Sequence, residues 1–173
     1  EIDESENIIY LKPINDFEDN TYAFTLDKVD AKTQERITNN HAKFDVEITK
    51  ENDTDQISYK NTIENLETDD TGRVTLVGIQ MPEEAGSYIY EIKEKQEPIG
   101  YIKDLSDIKY RVIFVQDEEG NMTISSIDKL SGDYSHIMKV NKNSLAIRVG
   151  NISKDNILED NEYKIDIMKV NKD

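Results

Sequence analysis

The chain has 173 residues, a formal net charge of −16 at pH 7 and no cysteine. Such a charge repels nucleic-acid phosphates and anionic membranes, so neither is expected as a partner. The lack of cysteine excludes a disulfide framework, a thiolate metal site and a cysteine nucleophile, and no apolar run approaches the roughly 20 residues of a membrane-spanning helix.

The dominant pattern along the chain is alternation of apolar and polar residues, which is the period of a half-buried β-strand. Turn-forming residues such as Asp69-Asp70-Thr71-Gly72 and Asp117-Glu118-Glu119-Gly120-Asn121 separate the alternating segments. The pattern predicts an all-β domain, a β-sandwich of about seven strands. In chain order, the predicted strands are 22–30, 44–48, 73–79, 88–94, 109–115, 122–127 and 145–151.

Four other segments are predicted to lie outside these strands. Residues 49–71 are polar and predict a long excursion between two strands, and residues 1–19 and 152–162 are expected to be edges or linkers. Tyr22-x-Phe24-x-Leu26-x-Lys28-Val29-Asp30 has a counterpart in Tyr163-x-Ile165-x-Ile167-x-Lys169-Val170-Asn171. We therefore expect one domain over 20–151, and we expect residues 163–173 to begin a following, truncated module of a longer tandem array.

Three of the predicted strands continue an apolar row with a polar side chain. Residues two apart in a strand share a face, so the polar residue is directed to the same side as the apolar ones. Burying any one of these polar groups alone is costly, so each needs a partner. The rows are Tyr22, Phe24, Leu26 and Lys28; Tyr88, Tyr90, Ile92 and Glu94; and Leu145, Ile147, Val149 and Asn151.

An amine, a carboxyl and a carboxamide are chemically complementary when they are in contact. Burial favours the neutral, nucleophilic form of an amine and the protonated form of a carboxyl, while a carboxamide offers an electrophilic carbon. Lys28, Glu94 and Asn151 could then form a Lys–Asn amide with loss of ammonia. Taken singly, each residue is explained more simply as the point where its strand leaves the core, and Lys28 could extend its amine to solvent.

The motifs around these residues resemble a known family. They are Phe24-Thr25-Leu26-Asp27-Lys28-Val29-Asp30, Thr68-Asp69-Asp70-Thr71-Gly72, Tyr88-Ile89-Tyr90-Glu91-Ile92-Lys93-Glu94 with Pro98-Ile99-Gly100-Tyr101, and Ile147-Arg148-Val149-Gly150-Asn151. Together they resemble the immunoglobulin-like (prealbumin-like) Cna B-type, or SpaA-like, domains of Gram-positive surface adhesins and pilins. The long polar segment between Phe44 and Thr68, and Gln96-Glu97, depart from the pattern of that family.

The resemblance implies an intramolecular isopeptide bond that the protein forms once on itself. Lys28 would be the nucleophile, Asn151 the acceptor and Glu94 the catalytic proton shuttle, whereas Lys169 would stay free. The resemblance further implies a structural stalk or spacer in an extracellular, cell-wall attached protein, with neighbouring modules of the same chain as partners. It implies no cofactor and no repeated turnover of a substrate.

Several alternatives stay open at the level of sequence. Asn141 and Asn143 are rival acceptors, although their segment alternates poorly. His41 and His136 lie in different sequence contexts, which argues against a metal pair or a histidine triad. The second functional hypothesis is an adhesin domain that binds a host extracellular-matrix protein or glycan through residues 49–71, with Tyr59 among the contacts.

Overall fold

The computed structural model describes residues 20–51 and 60–155, and β-strand is the main secondary structure of this part. Nine strands follow one another along the described chain. They are β1 (Thr21–Asp30), β2 (Lys43–Lys50), β3 (Lys60–Glu67), β4 (Arg73–Gln80), β5 (Gly86–Gln96), β6 (Ile108–Gln116), β7 (Met122–Ser131), β8 (Ser135–Asn141) and β9 (Ser144–Asn151).

The strands form two sheets with the core between them. One sheet has the order β4-β1-β9-β8, and the other has the order β3-β2-β5-β6-β7. The inner faces contribute the buried aromatic and aliphatic side chains, so the domain is a β-sandwich. The predicted fold class is therefore confirmed, and each of the seven predicted strands overlaps an observed one.

Residues 49–71 are not the long excursion that their polar composition predicted. Residues 60–67 form the edge strand β3, which pairs with β2, while residues 52–59 lie outside the described part. The pairing of β2 with β3 shifts register between Phe44 and Val46, and Asn65 has a φ of 58°. A bulge of this kind interrupts the two-residue period, so alternation could not reveal the strand.

The same physical reason applies to β8, whose sequence also alternates poorly. Its pairing with β9 shifts register between Ile137 and Lys139. β8 is an edge strand whose residues after Ser135 are mostly exposed, so it lacks an apolar row. These two strands account for the difference between about seven predicted strands and nine observed ones.

The pairing of β1 with β9 decides where the candidate site lies. β1 is the first described strand and β9 the last, yet they are parallel neighbours in the middle of the four-stranded sheet. Phe24 is opposite Leu145, Leu26 is opposite Ile147, and Lys28 is opposite Val149. The two inward rows therefore run side by side toward the same end of the sandwich.

Candidate functional site

Lys28 and Asn151 are diagonal neighbours on the inner face of the four-stranded sheet. Lys28 pairs with Val149 and Asp30 pairs with Asn151, so the two side chains are one pleat apart on adjacent strands. Glu94 is on β5, in the opposite sheet, and faces them across the sandwich. The three polar residues at the ends of the predicted rows thus come from both sheets and meet at one place.

Glu94 lies between the other two side chains and contacts both. Its Oε1 is 2.8 Å from Nζ of Lys28, and its Oε2 accepts a hydrogen bond of 2.8 Å from Nδ2 of Asn151. The Lys28 contact has the distance of an ion pair. A carboxyl so placed can exchange protons with both nitrogens.

The three side chains are withdrawn from solvent. Relative exposure is 0% for Lys28, 6% for Glu94 and 1% for Asn151. Burial lowers the pKa of the Lys28 ammonium below its ordinary value of 10.5, against the opposing effects of Glu94 and Asp104. Nζ also lies 5.3 Å from the centroid of the Phe44 ring, which offers the amine a mostly apolar surface.

The backbone of Lys28 is fixed by two hydrogen bonds outside the sheet pairing. Its N–H donates to the carbonyl of Gly72, and its carbonyl accepts from the N–H of Ile37. Gly72 has a φ of 74°, and a Cβ there would lie 2.4 Å from the carbonyl oxygen of Ile37. Glycine in the 69–72 turn is therefore required for the close approach that holds the backbone of Lys28.

Two backbone groups of the loop after β5 complete the site, and sequence reasoning did not find them. The carbonyl of Ile102 accepts a second hydrogen bond from Nδ2 of Asn151, and the N–H of Asp104 donates to Oε2 of Glu94 at 2.9 Å. Backbone groups carry no residue signature, so only the nearby Pro98-Ile99-Gly100-Tyr101 motif could have pointed to this loop.

The structure separates the other candidates from the site. Asn141 ends β8 and Asn143 lies in the turn before β9; both are exposed, and the Asn143 carbonyl accepts from the N–H of Ala23 in the N-terminal part of β1. His41 contacts Asp70 and Glu67, whereas His136 lies on β8 opposite Arg148. Tyr59, Lys169 and the predicted following module at 163–173 lie outside the described residues.

Two other functional features, a metal site and a membrane-spanning helix, are absent from the described residues. Over 20–51 and 60–155, no group of three or more histidine or acidic side chains is arranged to hold a metal ion. In the same ranges, no helix has the length and apolar character needed to cross a membrane.

The sequence was compared with family models and with known proteins. Residues 8–145 match the model of FctA, described as a Spy0128-like isopeptide containing domain. The chain belongs to this family. The match covers most of the chain, includes Lys28 and Glu94, and ends six residues before Asn151. The predicted resemblance to a family of isopeptide-containing domains is thereby confirmed.

The chain is similar to parts of three solved pilus proteins. The group B streptococcus pilus 2b backbone protein is 18% identical, with a TM-score of 0.43, over 80% of this chain and 43% of that one. The pilus adhesin RrgA from Streptococcus pneumoniae is 17% identical, with a TM-score of 0.47, over 78% of this chain and 15% of that one.

A third similar structure is BcpA, the major pilin subunit of Bacillus cereus, at 19% identity and a TM-score of 0.38, over 75% of this chain and 28% of that one. The FctA-family chain thus spans less than half the length of each of these three proteins. No curated protein matches the sequence.

Proposed function

We propose that this FctA-family domain is a structural stalk or spacer of a Gram-positive surface pilin or adhesin, locked by an isopeptide bond between Lys28 and Asn151. The observation that carries the proposal is the buried contact of amine, carboxyl and carboxamide around Glu94. Membership of an isopeptide-containing family supports the chemistry. The partners would be neighbouring modules of the same chain, outside the cell and attached to the cell wall.

The reaction needs no group beyond the three side chains. Glu94 takes a proton from the Lys28 ammonium, and the neutral Nζ attacks Cγ of Asn151. The Cγ–Nδ2 bond breaks as Glu94 gives its proton to the leaving nitrogen, which departs as ammonia. Glu94 then accepts the second proton lost from Nζ, and ends protonated beside the new amide. The burial of Lys28 beside the Phe44 ring favours the neutral amine that these reaction steps require.

The proposed bond would change how the domain bears tension. β1 and β9 are parallel, so a pull on the two chain ends loads their pairing along the strand direction. An amide from Lys28 to Asn151 would carry that load directly from one strand to the other. This suits a stalk domain that has no cysteine and so cannot be held by disulfides.

Intact-mass spectrometry under denaturing conditions tests the proposal. We expect the purified wild-type protein to be lighter than its sequence by one ammonia, and Glu94→Ala to have its full sequence mass. Glu91→Ala is the matched control, because Glu91 is on the same strand but its carboxylate contacts Lys93 and Lys109 on the outer face. Full sequence mass in the wild type would exclude the bond.

A further inference from the structure

The loop between β5 and β6 does more than cover the candidate site, because it contacts both the acceptor and the proton shuttle. Nδ2 of Asn151 donates to Glu94 and to the carbonyl of Ile102, so its two hydrogens are both used. Oε2 of Glu94 accepts from Asn151 and from the N–H of Asp104. The loop thereby fixes both partners of the proton transfer in one orientation.

This orientation selects which atom of the carboxamide meets the carboxyl. With Nδ2 between a carboxylate and a carbonyl, a rotated carboxamide would place Oδ1 against two acceptors, which is unfavourable. The leaving nitrogen is thus the atom that faces Glu94. A cavity of about 140 Å³ adjoins it, lined in part by Ile102, Asp104 and Asn151. The nitrogen has space beside it as it departs.

The first half of the loop is itself fixed to other parts of the domain. Asn40 holds Ile99 with two hydrogen bonds of 2.7 Å: its Oδ1 accepts from the Ile99 N–H, and its Nδ2 donates to the Ile99 carbonyl. Ile102 N–H donates to the carbonyl of Ile152, and Tyr101 forms a bridge with Ser153. The loop is therefore attached to Ile152 and Ser153, the two residues that directly follow the proposed acceptor Asn151.

The side chain of Asp104 sets the direction of its own N–H. Oδ1 accepts a hydrogen bond of 2.8 Å from the N–H of Ser106, which makes a local turn, while Oδ2 is buried without a hydrogen-bond partner among the described residues. Such a turn restricts the backbone at 104, from which the donor to Glu94 comes. An alanine at this position would leave the backbone free to rotate.

We propose that Asp104 is a positioning residue for isopeptide formation. Its turn with Ser106 aligns a backbone clamp on the site. In this clamp the Ile102 carbonyl contacts Asn151, and the Asp104 N–H contacts Glu94. This inference rests on the proposed function, since it concerns the same reaction. A small displacement of reacting groups can lower a rate by about two orders of magnitude, so the clamp affects the rate of bond formation more than the stability of the fold.

The test follows bond formation in time. Unreacted full-length chain, recovered unfolded in guanidinium from inclusion bodies, is refolded by dilution, and its loss of one ammonia is recorded by mass spectrometry. We expect Asp104→Ala to slow the loss about tenfold or more. Asp104→Asn keeps an acceptor for Ser106 and should react within about threefold of the wild-type rate. Asp107→Ala, an exposed position of the same loop, is the control.

Two outcomes overturn the inference. If Asp104→Ala reacts as fast as wild type, the clamp does not position the groups; if Asp104→Asn is as slow as Asp104→Ala, the charge and not the turn is what matters.

A second measurement judges the clamp without the reaction. In Lys28→Met, which cannot form the bond, the amide proton at position 104 should exchange slowly with solvent. Adding Asp104→Ala should speed that exchange about tenfold while the amide protons of β5 keep their protection. If the wild type keeps its full mass, the proposed function fails. If the amide proton at position 104 exchanges fast in Lys28→Met that still has Asp104, the clamp is overturned too.

Discussion

Lys28 is a fully buried lysine whose amine lies 2.8 Å from a carboxylate oxygen, so its charge state depends on two opposing effects. Burial lowers its pKa, whereas Glu94 and Asp104 raise it, and burial prevails. In the proposed reaction this lysine is consumed, so its titration is visible only when the acceptor is removed. Asn151→Ala supplies such a protein.

We expect the stability of Asn151→Ala to rise with pH through the titration of Lys28. The folded pKa is lowered, so the unfolded chain binds more protons between that pKa and 10.5, and the unfolding free energy increases across this window. Below the window Lys28 is charged in both states, and the cost of burying its charge is fully present.

The measurement is urea unfolding from neutral pH to about pH 10.5, in Asn151→Ala and in Asn151→Ala/Lys28→Met. The protein with Lys28 should gain stability relative to the methionine protein by up to about 1.4 kcal/mol per pH unit. The comparison cancels Tyr101 and Tyr110, whose pKa values are raised by burial in both proteins. A difference that does not change with pH would contradict a lowered Lys28 pKa.

At the scale of elements, β1 is held on its outer face by a charge pair as well as by its hydrogen bonds. Arg73 at the start of β4 donates to both carboxylate oxygens of Asp27, at 2.5 and 2.9 Å. Asp27 is 1% exposed, and the next residue along β1 is Lys28. The pair fixes β1 to β4 where the inner face carries the candidate site.

We expect Arg73→Met to destabilise the domain by about 2 kcal/mol, because it leaves the Asp27 carboxylate buried and unpaired. This value is below that of a fully buried pair, since the Arg73 side chain is 39% exposed. Arg111→Met is the control: its pair with Glu51 on the other sheet has the same two-bond form, but the Glu51 side chain is 23% exposed and so keeps contact with solvent when it is unpaired. Both substitutions are made in a Glu94→Ala protein, which should lack the crosslink, and urea unfolding measures how much each lowers the unfolding free energy. Equal costs for the two arginines would refute the argument from burial.

For the whole molecule, the decisive feature is that the first and last described strands are parallel neighbours. A bond between Lys28 and Asn151 would shorten the loaded path to the part of β1 before Lys28 and the chain after Asn151. Residues 29–150 would then carry no tension, although they contain most of both sheets.

Single-molecule pulling on the chain ends tests this consequence. We expect the wild type to show no extension step from residues 29–150, because the amide bears the force. Glu94→Ala should release them in one step with a contour length of roughly 440 Å, given about 3.6 Å per extended residue. Glu91→Ala again serves as the control and should behave like wild type. A wild-type step of full length would show that the load does not pass through a Lys28–Asn151 bond.

How much the sequence could predict follows from the range over which each interaction acts. Alternation is local, so it showed the inward rows ending at Lys28, Glu94 and Asn151, and each of these residues is indeed buried. Where the period is broken by a bulge, as in β3 and β8, the same reasoning missed a strand. The roles of the three residues and the domain boundaries at 20 and 151 stay predictions, and residues 1–19 lie outside the described part.

The sequence by itself determined the all-β class, the family and the face to which each polar residue is directed, because strand period and side-chain chemistry can be read residue by residue. Only the tertiary structure decided that β1 and β9 are parallel neighbours in a register that places Lys28 one pleat from Asn151. That pairing joins segments more than a hundred residues apart, and a shift by one residue would turn either side chain out of the core. The clamp of Ile102 and Asp104 was likewise fixed only by folding, because backbone groups acquire their partners from the packing of the whole chain.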